Sequence, residues 1–157
     1  MSALFEVLSK IQKEMKAPKS QYNAFGKYKY RSCEDILEAV KPFLNGAVLY
    51  ISDEMVLIGE RYYIKATATL RNGDEAVSVT AYAREEAEKK GMDSSQITGA
   101  ASSYARKYAL NGLFLIDDTK DSDATNEHGK GEAANSKPNG NQVNTLKEKL
   151  VSKKEET

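Results

Sequence analysis

The chain has 157 residues, of which 40% are hydrophobic and 29% charged, and equal numbers of acidic and basic side chains give it a formal net charge of zero. This length favours one globular domain with a tail. No stretch reaches the roughly 20 apolar residues of a membrane-spanning helix, and no secretory signal begins the chain, so we expect a cytoplasmic protein without a membrane partner. The single cysteine, Cys33, excludes an internal disulfide and a cysteine-based metal site.

The charges are unevenly distributed along the chain. The first 31 residues hold seven Lys or Arg against two Glu, whereas residues 117–157 hold nine acids against seven lysines. A basic end of this kind is compatible with binding to nucleic acid, because the distribution of charge matters more than its sum.

Two amphipathic helices are predicted near the N-terminus. Apolar side chains recur every three or four residues across 3–16, and Pro18 ends that helix. Ser32 and Asp35 have the spacing of a capping box, which predicts the start of a second helix whose last turn is kinked or frayed by Pro42.

The segment between these helices alternates basic and aromatic residues. It reads Lys27-Tyr28-Lys29-Tyr30-Arg31, so an extended chain places the tyrosines on one face and the three cations on the other. Cations that follow phosphates and rings that stack on bases are suited to single-stranded nucleic acid. The same alternation equally fits a strand whose tyrosines pack on the core, and the segment alone leaves both interpretations open.

An antiparallel β-meander is predicted in the middle of the chain. Residues 47–58 give one long or bulged strand, or two short strands interrupted at 52–54. After a turn at Gly59-Glu60 a second strand covers 61–70, and Asn72-Gly73 is a strong hairpin signal before a third strand over 76–83.

A long helix follows, capped by Ser94 or Ser95 and ending near Asn111 with Gly112 as its C-terminal cap. Small residues in its first half would let a neighbouring backbone approach closely: Gly99, Ala100, Ser102 and Ser103. Residues 113–116 form a short apolar segment after the helix, which is predicted to be either a strand or a plug of the core.

Four residues near the end of this helix have two interpretations each. Arg106 and Lys107 can bind phosphates, but cations there also complement the helix dipole. Tyr104 and Tyr108 lie four apart on one face, a spacing more typical of packing than of stacking on bases.

The rest of the chain predicts a disordered tail. Residues 119–141 are polar and hold few apolar side chains, which predicts a flexible linker. Residues 142–157 repeat apolar side chains at helical spacing, which predicts a short terminal helix or a partner-binding tail.

Several kinds of active site lack the residues they need. His128, the single histidine, falls in the predicted linker, so no catalytic triad or metal-ligand pair forms around a fixed histidine. The acidic run from Asp117 to Asp123 lacks the spacing of an EF-hand loop, and no phosphate loop of the form GxxxxGK[ST] is present, which disfavours an ATP-driven recombinase. We therefore expect no catalytic residue, no metal and no cofactor.

Two blocks of sequence carry a resemblance to a known family. The first begins at Phe25 and reads FGKYKYRSCEDIL; the more specific second block begins at Gln96, reads QITGAASSYARKYALNGLF and is followed by aspartates. Over roughly residues 3–125 the chain resembles the ERF (essential recombination function) family of phage single-strand annealing proteins. Its acidic cluster, Asp117-Asp118-Thr-Lys-Asp121-Ser-Asp123, is sparser than such families usually show.

The residues predict an α+β fold, an antiparallel β-meander packed on a long helix with flanking N-terminal helices, and the resemblance implies similarity to the core of single-strand annealing recombinases. It also implies that residues 1–118 bind and anneal single-stranded DNA without ATP, as a ring or filament of identical subunits in a bacterial host cell. Mapped by motif, the DNA-binding residues are Lys27, Tyr28, Lys29, Tyr30, Arg31, Tyr104, Arg106 and Lys107. Expected partner proteins are an exonuclease or a single-strand binding protein, the latter recruited by the tail.

Two other functions compete with this one. A phage protein that binds and modulates a host nuclease or recombination complex would need no DNA groove, and its function would survive loss of Arg106 and Lys107. A metal-dependent nuclease would require the aspartates and a divalent ion, and it would shorten its substrate.

Overall fold

A computed structural model describes residues 1–116; the acidic run from Asp117, His128, the predicted linker and the predicted terminal helix lie outside the described residues. The elements are α1 (Ala3–Glu14), β1 (Gln21–Asn23), β2 (Tyr28–Tyr30), α2 (Cys33–Val40), β3 (Val48–Ile58), β4 (Arg61–Asn72), β5 (Glu75–Arg84) and α3 (Ser94–Phe114). The predicted α+β class is confirmed, with helices and antiparallel sheets.

The two N-terminal helices form as their sequence signals predict. The side chain of Ser2 caps α1 by accepting from the Phe5 amide, and the apolar stripe of α1 is buried. In α2 the Ser32 hydroxyl accepts from the Asp35 amide at 3.1 Å and the Asp35 carboxylate accepts from the Ser32 amide at 2.8 Å, which completes the capping box. The α-helix stops at Val40, and the chain continues as a 3-10 turn that contains Pro42.

The strands β3, β4 and β5 form an antiparallel meander in that order. The strand β3 pairs with β4 without a break from Val48 to Ile58, so the interruption considered at 52–54 is absent. The second hairpin turns at Gly73-Asp74, one residue later than predicted, because Asn72 pairs with Glu75. Gly73 has a φ of 59°, which suits the first central position of a type II′ turn.

Both ends of α3 differ from their predicted positions. The N-cap is Asp93, whose carboxylate accepts from the Gln96 amide at 2.9 Å, and neither Ser94 nor Ser95 caps the helix. At the other end the helix continues through Gly112 to Phe114, so Leu113 and Phe114 of the predicted segment 113–116 are its last residues and plug the core, whereas Leu115 is 67% exposed and no strand forms. A Cβ on Gly112 would lie 3.0 Å from Val79 Cγ1, which indicates that this glycine serves close packing on β5.

The core lies between one face of the meander and the helices. From Ile64 to Leu70 every second residue of β4 faces the core, and α3 presents a stripe at four-residue spacing to the sheet; these residues are Ile64, Ala66, Ala68, Leu70, Ala101, Ala105 and Ala109. Alanines on both surfaces let the helix and the sheet approach closely. The glycine expected to serve this approach, Gly99, faces open space. Gln12 of α1 donates to the Leu113 carbonyl at 2.9 Å and ties α1 to the end of α3.

Candidate nucleic-acid interface

Arg106 lies on the flank of α3 that faces β3. Its Nε is 3.2 and 3.0 Å from the two carboxylate oxygens of Asp53, and the Ser102 hydroxyl donates to the same carboxylate. The Arg106 side chain is still 41% exposed. A phosphate can therefore reach this guanidinium, although Asp53 compensates part of its charge.

The ammonium group of Lys107 lies over two neighbouring aromatic rings on the surface of α3. Its Nζ is 5.7 Å from the centroid of the Tyr104 ring and 6.0 Å from that of Tyr108, and the two centroids are 6.1 Å apart. Tyr104 is 50% exposed and Tyr108 43%, so neither ring is packed away as the spacing had suggested. We call these three residues the α3 platform, because they combine one cation with two partly exposed aromatic rings.

The α3 platform borders a groove between β5 and the first half of α3, with a volume of about 370 Å³. Besides Tyr104 and Tyr108, its aromatic and charged lining consists of Tyr82, Arg84, Glu86 and Lys89. These last four residues were not among the predicted site residues. Alternation along β5 does place Tyr82 and Arg84 on one face, but the sequence does not reveal which flank of α3 meets that strand.

The β1–β2 hairpin presents an aromatic and basic surface of its own. In its register Asn23 pairs with Tyr28 and Tyr22 pairs with Lys29. Tyr28 and Tyr30 share one face, as predicted, and both are half-buried with their ring centroids 6.0 Å apart. Lys29 lies on the exposed face beside Tyr22, which is 61% exposed and was not among the predicted site residues.

Arg31 differs in burial from the other cations of its segment. The expectation that Lys27, Lys29 and Arg31 share one solvent-exposed face is wrong for Arg31, which is buried and whose Nε donates to the Ala17 carbonyl at 2.7 Å. The strand ends at Tyr30, so the alternation no longer governs the next side chain. Arg31 connects the hairpin to the segment after α1 and takes no part in the exposed surface.

Cys33, the first residue of α2, is buried. Burial raises the pKa of its thiol above the ordinary value of 9.0, and the charge of Glu34 adds to this rise. The charge of Arg106 lowers the pKa, Asp53 raises it and Lys107 lowers it. Helix α2, which follows the hairpin, packs against α3.

The family model of the ERF superfamily matches residues 4–150. The chain belongs to the ERF superfamily. One ERF relative, the "Essential recombination function protein" of Salmonella phage P22, is 68% identical over 121 residues, which cover 77% of this chain and 58% of that protein. The resemblance read from the two sequence blocks is thereby confirmed. No solved structure matches the chain.

Two further properties of this ERF chain concern its described part. Within residues 1–116 no group of three or more His, Cys, Asp or Glu side chains could hold a metal ion. In the same range no helix has the length and hydrophobicity needed to cross a membrane.

Proposed function

We propose that this ERF protein binds single-stranded DNA and anneals complementary strands without ATP, in phage homologous recombination in the cytoplasm of a bacterial host. The observation that carries the proposal is the α3 platform, in which the ammonium group of Lys107 lies over the partly exposed rings of Tyr104 and Tyr108 beside a groove. The relative in phage P22 is named for an essential recombination function, which agrees with this role.

A platform of this composition suits a single strand of any sequence. The ammonium group of Lys107 attracts phosphate, and each tyrosine ring offers a base a stacking surface that contributes about 1–3 kcal/mol. Arg84 and Lys89 in the groove and Arg106 on the other flank of α3 extend the positive charge. Because phosphates and base faces are bound while base edges stay free, a complementary strand can pair with the bound one.

A single small domain offers few such contacts, so the proposal includes assembly of identical subunits into a ring or filament. Adjacent copies of the α3 platform would then hold a longer stretch of DNA than one subunit can. The same proposal includes similarity to the core of annealing recombinases and the absence of catalytic residues and of cofactors. It also includes an exonuclease or a single-strand binding protein as partner.

The salt dependence of strand binding tests this proposal. We expect Arg106→Ala combined with Lys107→Ala to weaken binding similarly across sequences. The slope of log K against log salt concentration should become shallower by about 1.4, because each phosphate contact on a single strand contributes about 0.7. The matched control is Lys41→Ala with Lys65→Ala, which removes the same charge from residues paired with Glu38 and Glu54.

The control variant should keep the slope of the wild-type protein. A folded Arg106 and Lys107 double variant with an unchanged slope would exclude these residues from the interface. If the wild-type protein bound no single strand at any salt concentration, the proposed function itself would fail, and modulation of a host nuclease would become the leading alternative.

A further inference from the structure

The loop of the β1–β2 hairpin, residues 24–27, holds one large apolar side chain fully in solvent. Phe25 is 100% exposed, more than any other large hydrophobic residue in the described range. Large apolar side chains are normally covered at least in part, although single exposed ones do occur. Exposure alone therefore gives Phe25 no role, and the structure of the loop around it decides the question.

The loop around Phe25 is held by specific contacts. The Asn23 side chain accepts from the Gly26 amide at 2.9 Å and donates to the Tyr28 hydroxyl at 3.2 Å. The Tyr28 ring covers Gly26 so closely that a Cβ there would lie 2.3 Å from the ring carbon Cε1. These contacts order the backbone on both sides of Phe25, so its exposure is a property of a built loop.

The surroundings of Phe25 are cationic. Lys27 and Lys29 are both exposed, and residues 15–33 contain no Asp or Glu. The exposed ring of Tyr22 lies opposite Lys29 in the hairpin register. An apolar pocket on a protein partner would favour an apolar rim around the phenyl ring, whereas a rim of cations favours a polyanion whose bases can stack on the ring.

We infer that Phe25 is a base-stacking side chain that inserts against an unpaired nucleobase while Lys27 and Lys29 bind the flanking phosphates. The inference rests on the proposed function and adds a contact that lies on the β1–β2 hairpin instead of on α3. An unpaired base exposes its faces to a ring, while a base inside a duplex is already stacked on both sides. Insertion of Phe25 interrupts the stacking of the bound strand and leaves the base edges open to a complement.

A tryptophan reporter tests this inference directly. The chain contains no tryptophan, so Phe25→Trp places a single tryptophan at the loop, whose emission is excited selectively over that of the nine tyrosines. On titration with an oligothymidylate strand we expect its emission to be quenched and its accessibility to acrylamide to fall. The control is Tyr62→Trp, at a 52% exposed position on β4, whose emission should stay unchanged.

Binding is followed in the same titration by the anisotropy of a label on the DNA. Phe25→Ala should weaken binding by about tenfold, and Phe25→Tyr but not Phe25→Leu should restore it, because only an aromatic ring stacks on a base. If Phe25→Trp bound the strand normally with unchanged emission, the inference would be overturned while the proposed function stood.

Two other outcomes can be distinguished from normal binding with unchanged emission. An emission change that follows protein concentration without DNA would assign Phe25 to a contact between copies of the chain, which also overturns the inference. If neither the wild-type protein nor any variant bound the strand, the proposed function would fail, and the inference with it.

Discussion

Arg31 illustrates how a cation inside a basic segment can serve the fold. Its guanidinium is buried and donates to the Ala17 carbonyl, so it holds the start of α2 against the segment that follows α1. Removal of a buried donor leaves its acceptor without that partner, which typically costs about 1–3 kcal/mol. Lys29, two residues earlier on the exposed face of the hairpin, has no comparable burial.

We predict that Arg31→Ala lowers the stability of the protein, whereas Lys29→Ala weakens its binding to DNA. Arg31→Ala should lower the free energy of unfolding by about 1–3 kcal/mol. Lys29→Ala should change it by less than about 0.5 kcal/mol while weakening strand binding. Urea denaturation and DNA anisotropy on the same samples measure both quantities. Unchanged stability of Arg31→Ala would show that the Ala17 contact contributes nothing to the fold.

Arg106 is a second cation that makes a contact within the fold. Its ion pair with Asp53 places a carboxylate within the surface proposed to bind DNA. Ion pairs near the surface contribute only about 0–1 kcal/mol, so a phosphate of the bound strand can compete for this guanidinium without unfolding the protein. When no DNA is bound, Asp53 orients Arg106 toward β3.

At the scale of elements, the spacing between α3 and the sheet depends on side-chain size at each helix position. Gly99 and Gly112 both lie inside α3, but their surroundings differ. A Cβ on Gly99 meets nothing within 4 Å, whereas one on Gly112 would lie 3.0 Å from Val79 Cγ1. These two positions separate the intrinsic cost of a helical glycine from the cost of close packing.

We predict that Gly99→Ala stabilises the protein by about 0.5–1 kcal/mol, since alanine is the better helix former. Gly112→Ala should be less stable than Gly99→Ala by about 1 kcal/mol or more, because the added methyl group displaces Val79. Thermal unfolding of the two variants, matched in substitution and element, gives the comparison. Equal stabilisation by both would mean that β5 yields to the methyl group without cost.

The elements were largely predictable because their signals are local. The capping box of Ser32 and Asp35, the fraying at Pro42 and the glycine turns of the meander each depend on a few neighbouring residues. The end of α3 was placed too early because Gly112 reads as a helix stop. The close approach of Val79, a residue of another element, gives this glycine a packing role inside the helix, and no local pattern reveals it.

The candidate site was less predictable for the same physical reason. Alternation correctly separates Tyr28 and Tyr30 from Lys29, but it does not say which face is covered, and within the hairpin the structure leaves Tyr22 and Phe25 as the exposed aromatic residues. The contact between Arg106 and Asp53 joins residues far apart in sequence. Contacts of this kind depend on the packing of α3 against the sheet, which no local pattern specifies.

At the scale of the whole molecule, a net charge of zero conceals surfaces of positive charge. The exposed lysines of the β1–β2 hairpin precede α2, and α2 packs against α3, the helix that carries Arg106 and Lys107. A single strand bound to both segments would contact aromatic rings on each. Assembly of identical subunits would repeat this surface along the DNA, which is what annealing of long complementary strands requires.

The rate at which the purified protein anneals two complementary, fluorescently labelled oligonucleotides tests the central claim most directly. The reaction is run without ATP, with and without magnesium, and a gel checks the length of the strands. We predict that the wild-type protein accelerates annealing and leaves both strands intact, and that Arg106→Ala with Lys107→Ala slows it. Annealing at the spontaneous rate by a folded protein, or shortening of the strands with magnesium, would contradict the claim.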